Sequence, residues 1–213
     1  RMSGGDKMRL YVGVTVGGTR YLTEWFNTIK KLNPLEIAVA RDLSRSEPIP
    51  DLPVRLIDYD THKPWESYEK RHLGWVSDES ILLGIIKLLE DFVKSNCTHF
   101  LHIDSDIILS DKAIEMTLSE EWDYLQYGIP VVPREEPDLK NVMMFWDSTN
   151  FGLSKTVATL ILEPLKKIEN PYPVDINIHQ TIRERFEKLK SKKYLSIYNV
   201  GISHYISGVK VTL

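Results

Sequence analysis

The stretch Leu10-Tyr-Val-Gly-Val-Thr-Val16 constrains the fold of this chain most strongly. It is β-rich, and it stops at Gly17-Gly18. A run with apolar residues at both alternating positions has no face to offer water, so it reads as a strand buried on both sides. Such a strand needs helices above and below its sheet. The first follows at once. Leu22, Trp25, Phe26, Ile29 and Leu32 recur at helical spacing from Tyr21 to Leu32, and Asn33-Pro34 stops the run.

The alternation continues along the chain. Leu35 to Ala40 predicts a second strand, followed by the polar Arg41-Asp42-Leu43-Ser44. Val54 to Ile57 predicts a third, entered through Pro48, Pro50 and Pro53. Residues 58–77 hold Asp58, Asp60, His62, Trp65, Tyr68, Lys70, Arg71, His72 and Trp75 without periodicity, and long irregular stretches of this kind are usually functional. Ser77 reads as the N-cap of a buried helix that reaches about Ser95. Thr98 to Ile103 reads as a fourth strand, Asp111 to Glu120 as a short helix, and Asp123 to Val132 as a strand broken at Gly128.

After a second loop at 133–149 come a strand at Asn150–Leu153 and a helix capped by Ser154, which Pro164 ends or kinks. A last helix is expected from Asp175 to about Lys190. Ile178, Ile182, Phe186 and Leu189 line one of its faces, with His179 off that face and on the surface. Tyr194 to Tyr198 is a final strand. The order β-α-β-β-α-β in the first half predicts an α/β fold, a single Rossmann-like domain with a mostly parallel central sheet flanked by helices. Ligands of such sheets bind beyond the carboxyl ends of the strands. That rule gathers Thr15–Gly18, Arg41–Ser44, Asp58–Asp60 and Asp104–Asp106 on one rim.

Composition narrows the classes. The chain has 213 residues, 42% of them hydrophobic, with 27 basic and 30 acidic side chains for a net charge of -3. That is globular, and it gives no support to a nucleic-acid partner. No apolar run approaches the ~20 residues of a membrane helix, so no integral membrane segment is expected. Cys97 is the sole cysteine, which rules out an internal disulfide and fits a reducing, cytoplasmic setting. Residues 1–7 read as a cloning remnant or disordered start before Met8, and residues 8–213 as one domain.

The chemistry concentrates at Asp104-Ser105-Asp106, set between Phe100-Leu-His-Ile103 and Ile107-Ile-Leu109. With 14 aspartates in the chain, an Asp-x-Asp arises roughly once by accident, and Asp58-Tyr59-Asp60 is a second instance. Context separates the two. Two carboxylates between buried segments need compensation, and a divalent cation provides it. Mg²⁺ and Mn²⁺ prefer oxygen ligands and often share one or two carboxylates with substrate phosphates. The plain alternative is a solvated turn at a strand end. For Asp58 and Asp60, a loop rim is the preferred reading. His99 and His102 flank the buried strand and read as hydrogen-bonded core histidines.

The ordered set of motifs resembles the GT-A-fold, metal-dependent nucleotide-sugar glycosyltransferases. Leu10–Val16 with its helix resembles their first βα unit, and His99 to Leu109 resembles their strand ending in Asp-x-Asp. Asn150-Phe-Gly-Leu-Ser-Lys155 resembles the acceptor-side segment, Pro173-Val-Asp-Ile-Asn177 the acidic motif at a helix start, and Ser203-His204 the C-terminal histidine. Together these span most of residues 8–206.

The resemblance implies a sugar-nucleotide donor and a Mn²⁺ or Mg²⁺ ion held by Asp104, Asp106 and His204. It also implies donor contacts from Thr15, Val16, Gly17, Arg41, Asp42, Arg71 and Ser105. Asp175 would be the base of an inverting enzyme. The family's motif usually has two adjacent acids, whereas here Val174 precedes Asp175, which reads equally as a helix N-cap; Asp147, in the loop beside the acceptor-side segment, is a rival base. The acceptor, whether glycan, lipid or protein, is left open, as is a homodimer.

Other classes fit parts of the pattern. Gly17-Gly18-Thr19-Arg20 echoes the phosphate loop of sugar nucleotidyltransferases, with one glycine missing and no evident downstream lysine. A phosphotransferase of the haloacid dehalogenase type also places Asp-x-Asp after a strand, but near the start of its domain. A non-catalytic nucleotide-sugar binding module is the remaining alternative.

Overall fold

The computed structural model describes residues 8–16, 19–45, 47–62, 75–127, 129–130, 145–146, 149–171, 173–190, 193–197, 203–206 and 209–212. In chain order the elements begin with β1 (Leu10–Val16), α1 (Leu22–Ile29) with a 3-10 turn at Lys30–Leu32, β2 (Glu36–Asp42), a second 3-10 turn at Leu43–Arg45, and β3 (Arg55–Tyr59). Next are α2 (Trp75–Lys94), β4 (His99–His102), β5 (Ile107–Ile108), α3 (Asp111–Ser119), β6 (Tyr124–Tyr127), β7 (Ile129–Pro130) and β8 (Phe145–Trp146). The rest are β9 (Phe151–Ser154), α4 (Lys155–Leu165), α5 (Val174–Phe186), β10 (Tyr194–Ile197), β11 (Ser203–Ile206) and β12 (Val209–Thr212).

Seven strands form the main sheet in the order β10-β6-β9-β4-β1-β2-β3. Only β9 runs against the others, pairing antiparallel with both β4 and β6. The expected mostly parallel sheet is therefore present. β1 has β2 on one side and β4 on the other, both parallel. The chain moves outward from β1 through β2 to β3 and then returns through α2 to β4, so the strand order reverses between β1 and β4. A short side sheet joins β5 to β11 and β12, and β7 pairs with β8.

Both faces of the sheet are covered. Tyr11, Phe100, Tyr124 and Phe151 pack with Ile85, Leu88 and Phe92 of α2, Val157 and Ile161 of α4, and Ile178 and Ile182 of α5. Leu10, Val12, Val14 and Val16 pack on the other face with Leu22, Trp25 and Ile29 of α1 and Ala113 and Ile114 of α3. This is the two-sided burial that the apolar first strand requires. Among the described residues no helix is long and apolar enough to cross a membrane.

Several local expectations change. β2 runs on to Asp42 and β3 to Tyr59, because the ladder pairs Arg41 with Asp58 and Asp42 with Tyr59. Arg41 and Asp42 thus end a strand rather than start a loop. Ser77 lies inside α2, whose backbone is already helical at Trp75. Ser154 does occupy the N-cap of α4, but among the described residues its buried hydroxyl has no hydrogen-bond partner and caps no amide. Pro173, not Asp175, is the N-cap of α5. His179 is buried, not superficial: Tyr124 and Phe151 of the sheet stand against its ring, and its Nδ1 hydrogen-bonds the Tyr124 hydroxyl.

Candidate functional site

The strand order reverses between β1 and β4, and the region beyond their carboxyl ends is the usual ligand position in an open α/β sheet. The turn after β4 lies at that end of the sheet. The Ile103 amide donates to the Gly13 carbonyl at 3.2 Å, and the buried Trp25 indole donates to the Ile103 carbonyl at 2.9 Å. The Ile107 amide then closes the turn on the Asp104 carbonyl at 3.0 Å. Ile103 and Ile107 are buried, while Asp104, Ser105 and Asp106 between them are half-exposed. The apolar flanks seen in the sequence therefore anchor the turn, and its two carboxylates stay at the surface.

Asp104 is held from a strand that sequence reasoning treated only as acceptor-side. Its amide donates to Asn150 Oδ1 at 2.7 Å, and Asn150 Nδ2 donates back to Asp104 Oδ2 at 3.0 Å. The Thr149 hydroxyl also donates to Asp104 Oδ2. The antiparallel sense of β9 makes this meeting possible. It pairs Phe151 with His102, so the amino end of β9 lies beside the carboxyl end of β4. The sequence carries one sign of this, a polar Thr149-Asn150 pair directly before an apolar strand.

His102 supports the same corner from below. Its Nδ1 lies 2.6 Å from the Thr149 carbonyl, which can only accept, so Nδ1 carries the proton. The Thr15 hydroxyl therefore donates to Nε2 at 3.3 Å. Burial pushes the imidazole down to about 4, partly opposed by the Thr149 carbonyl. Asp104 Oδ1 is 3.8 Å from Nδ1 and faces a neutral ring, so the two do not form an ion pair at neutral pH. Thr15 is thus tied to the Asp104 corner through His102.

The β2–β3 side of the rim is internally paired. Arg41 donates to both oxygens of Asp58, at 2.9 and 2.8 Å, and this hydrogen bonding holds the Asp58 carboxyl below the usual range. Asp42 is buried and accepts from the Ser44 amide at 3.1 Å, the Thr61 hydroxyl at 2.7 Å and the Ser80 hydroxyl at 2.7 Å. Burial would raise its pKa, but these donors outweigh it and hold the carboxyl low. Asp60 hydrogen-bonds the Ser44 hydroxyl and accepts from the His62 amide at 2.6 Å, with His62 in a left-handed conformation at φ 55°. Val16 turns its side chain into the core, so only its backbone is available at the rim.

Two of the solved structures that match this chain illustrate its fold. One is a Bacillus anthracis protein assigned as a glucose-1-phosphate thymidylyltransferase, solved in complex with a sucrose, at 11% identity and a TM-score of 0.50. The other is the inositol-1-phosphate CTP transferase from T. maritima, at 10% identity and a TM-score of 0.51. Each match covers 92% of this chain and 89% of the other. At these identities the likeness shows the fold alone, a Rossmann-like α/β fold. No family model matches the chain, and no curated protein does.

Asp104 and Asp106 offer hard oxygen donors two positions apart. Among the described residues no group of three or more His, Cys, Asp or Glu converges on one point. That donor set fits Mg²⁺ or Mn²⁺, which take one or two carboxylates and fill the remaining positions with phosphate oxygens and water. The backbone of His204 pairs with Ile107, next to Asp106 in sequence. The His204 side chain, and Gly17, Arg71, Asp147, Trp65, Lys70 and His72, lie outside the described residues. Asp175 is the second residue of α5, whose N-terminal turn meets that of α2 where the Val174 amide donates to Asp78 Oδ1 at 2.9 Å.

Proposed function

We propose that this chain is a cation-assisted transferase acting on a nucleotide sugar, and that it moves the sugar to an acceptor hydroxyl. The observation that carries this reading is the Asp104–Asp106 turn at the carboxyl ends of β1 and β4, with Asp104 fixed by Asn150 and Thr149. A rigid carboxylate beside a half-exposed second one suits a cation shared with a diphosphate. A cation held there by Asp104 and Asp106 would neutralise the diphosphate and, as a Lewis acid, favour its departure. In this reading Asp175 accepts the proton of the acceptor hydroxyl as its oxygen bonds to the anomeric carbon. The bond from that carbon to the phosphate oxygen breaks, and the nucleoside diphosphate leaves.

The two solved neighbours favour a second reading, nucleotidyl transfer. There a sugar-phosphate oxygen attacks the α-phosphorus of a nucleoside triphosphate and pyrophosphate leaves. Charge argues for the first reading. Besides the paired Arg41 and Asp58, the described part of the rim carries Asp42, Asp60, Asp104 and Asp106. A triphosphate adds more negative charge there than a diphosphate sugar does. A single screen separates them. UDP- and GDP-sugars with Mn²⁺ or Mg²⁺ are expected to release nucleoside diphosphate, and Asp106→Ala to abolish that release. Pyrophosphate release from a nucleoside triphosphate plus sugar 1-phosphate would overturn the first reading in favour of the second.

A further inference from the structure

The start of α5 is capped from outside. Pro173 stands at the N-cap and has no side-chain acceptor for the first amides of the helix. The missing acceptor comes from 96 positions earlier, where Asp78 Oδ1 takes the Val174 amide at 2.9 Å. Asn177 draws in the turn that precedes the helix, its Nδ2 donating to the Pro171 and Pro173 carbonyls at 3.1 and 2.9 Å. Val174 itself is buried against the α2 face of the core. The segment carrying Asp175 is therefore held by Asp78, by Asn177 and by the burial of Val174, with Asp78 supplying a hydrogen bond from another element.

Asp78 is half-buried in the first turn of α2, the helix that follows β3. Burial holds its carboxyl above the ordinary carboxylate range, and the nearby Asp175 charge adds to this. Two acids side by side are unfavourable unless something offsets them, and the positive ends of two helices meet here. We propose that Asp78 is a positioning residue that fixes the start of α5 and so sets Asp175 at the rim. It links the helix after β3 to the helix that bears the acid assigned to the acceptor. This rests on the proposed role of Asp175, and it can fail separately from the transferase reading.

The test compares wild type with Asp78→Ala and Asp78→Asn. Amide hydrogen exchange is followed at 174–177, the Asp175 amide resonance is recorded, and turnover is measured with the donor that the screen identifies. Asp78→Ala should speed exchange at Val174 roughly tenfold and shift the Asp175 amide signal. It should also lower kcat roughly tenfold while leaving the donor KM within about twofold. Asp78→Asn keeps an acceptor oxygen and should restore exchange and most of kcat. Unchanged exchange or an unmoved Asp175 signal in Asp78→Ala overturns the clamp, whatever the activity. Faster exchange with undiminished kcat overturns its role in positioning the acid. Absence of any transfer by wild type counts against the proposed function, while the exchange and resonance data still decide the clamp.

Discussion

Asp104 and Asn150 grip each other by two hydrogen bonds of opposite sense. The Asp104 amide donates to Asn150 Oδ1 at 2.7 Å, and Asn150 Nδ2 donates to Asp104 Oδ2 at 3.0 Å. Asn150 is buried and Asp104 half-exposed, so each bond is partly shielded from water. Replacing Asn150 by Ala strands the Asp104 amide and should cost about 1–3 kcal/mol, read from urea unfolding. The same change should weaken Mn²⁺ binding about 10- to 100-fold in calorimetry, the usual effect of losing a partner that orients a ligand. Undiminished Mn²⁺ affinity in a folded Asn150→Ala protein would show that the grip does not serve a cation.

Asp42 tests a different assignment. The resemblance gave it a donor contact, whereas the structure buries it and directs donors from Ser44, Thr61 and Ser80 onto it. Asp42→Ala leaves those donors unpaired and should destabilise the protein by about 3 kcal/mol. Chemical denaturation measures this. Full stability combined with lost nucleotide affinity would return Asp42 to the ligand.

Stability should depend on pH through His102. Its folded-state pKa is lowered to about 4 by burial, against an ordinary value of 6.5. Between those values the unfolded chain takes up a proton that the folded protein does not. The contribution of His102 is therefore complete above 6.5 and is lost as pH falls toward 4, by up to about 3 kcal/mol. Urea unfolding of the metal-free protein at several pH values gives the slope. His102→Asn keeps a donor for the Thr149 carbonyl and removes the titrating ring, so its slope should be shallower. Identical slopes would contradict the buried neutral imidazole.

Gly152 marks a close approach inside the sheet. A Cβ there would lie 2.7 Å from Leu101 Cδ2 and 2.8 Å from Trp122 Cζ3, both within the packed core. Gly152→Ala should cost about 1–3 kcal/mol by overpacking. A melting temperature equal to that of wild type would show that the core yields there.

Features set by local pattern were legible in the sequence. The apolar run Leu10–Val16 is β1 residue for residue, and the Asp104–Asp106 turn sits where its apolar neighbours imply. Features set by distant partners were not. Nothing near Asn150 says that β9 runs backward and delivers its amino end to Asp104. His179 looks superficial beside the Ile178/Ile182 stripe, yet Tyr124 and Phe151 draw it into the core. Asp175 resembles an N-cap, but Pro173 takes that place and the acceptor comes from Asp78. In each case the deciding contact spans at least 28 positions, as with Phe151 and His179, beyond the reach of periodicity.

The most direct test of the account is calorimetric titration of a nucleoside diphosphate, UDP and GDP in turn, into the protein with Mn²⁺ and with chelator. Saturable binding of one of them is expected, requiring the cation and lost in Asp106→Ala. Binding that persists undiminished in chelator or in Asp106→Ala, or no binding of either nucleotide, would contradict it.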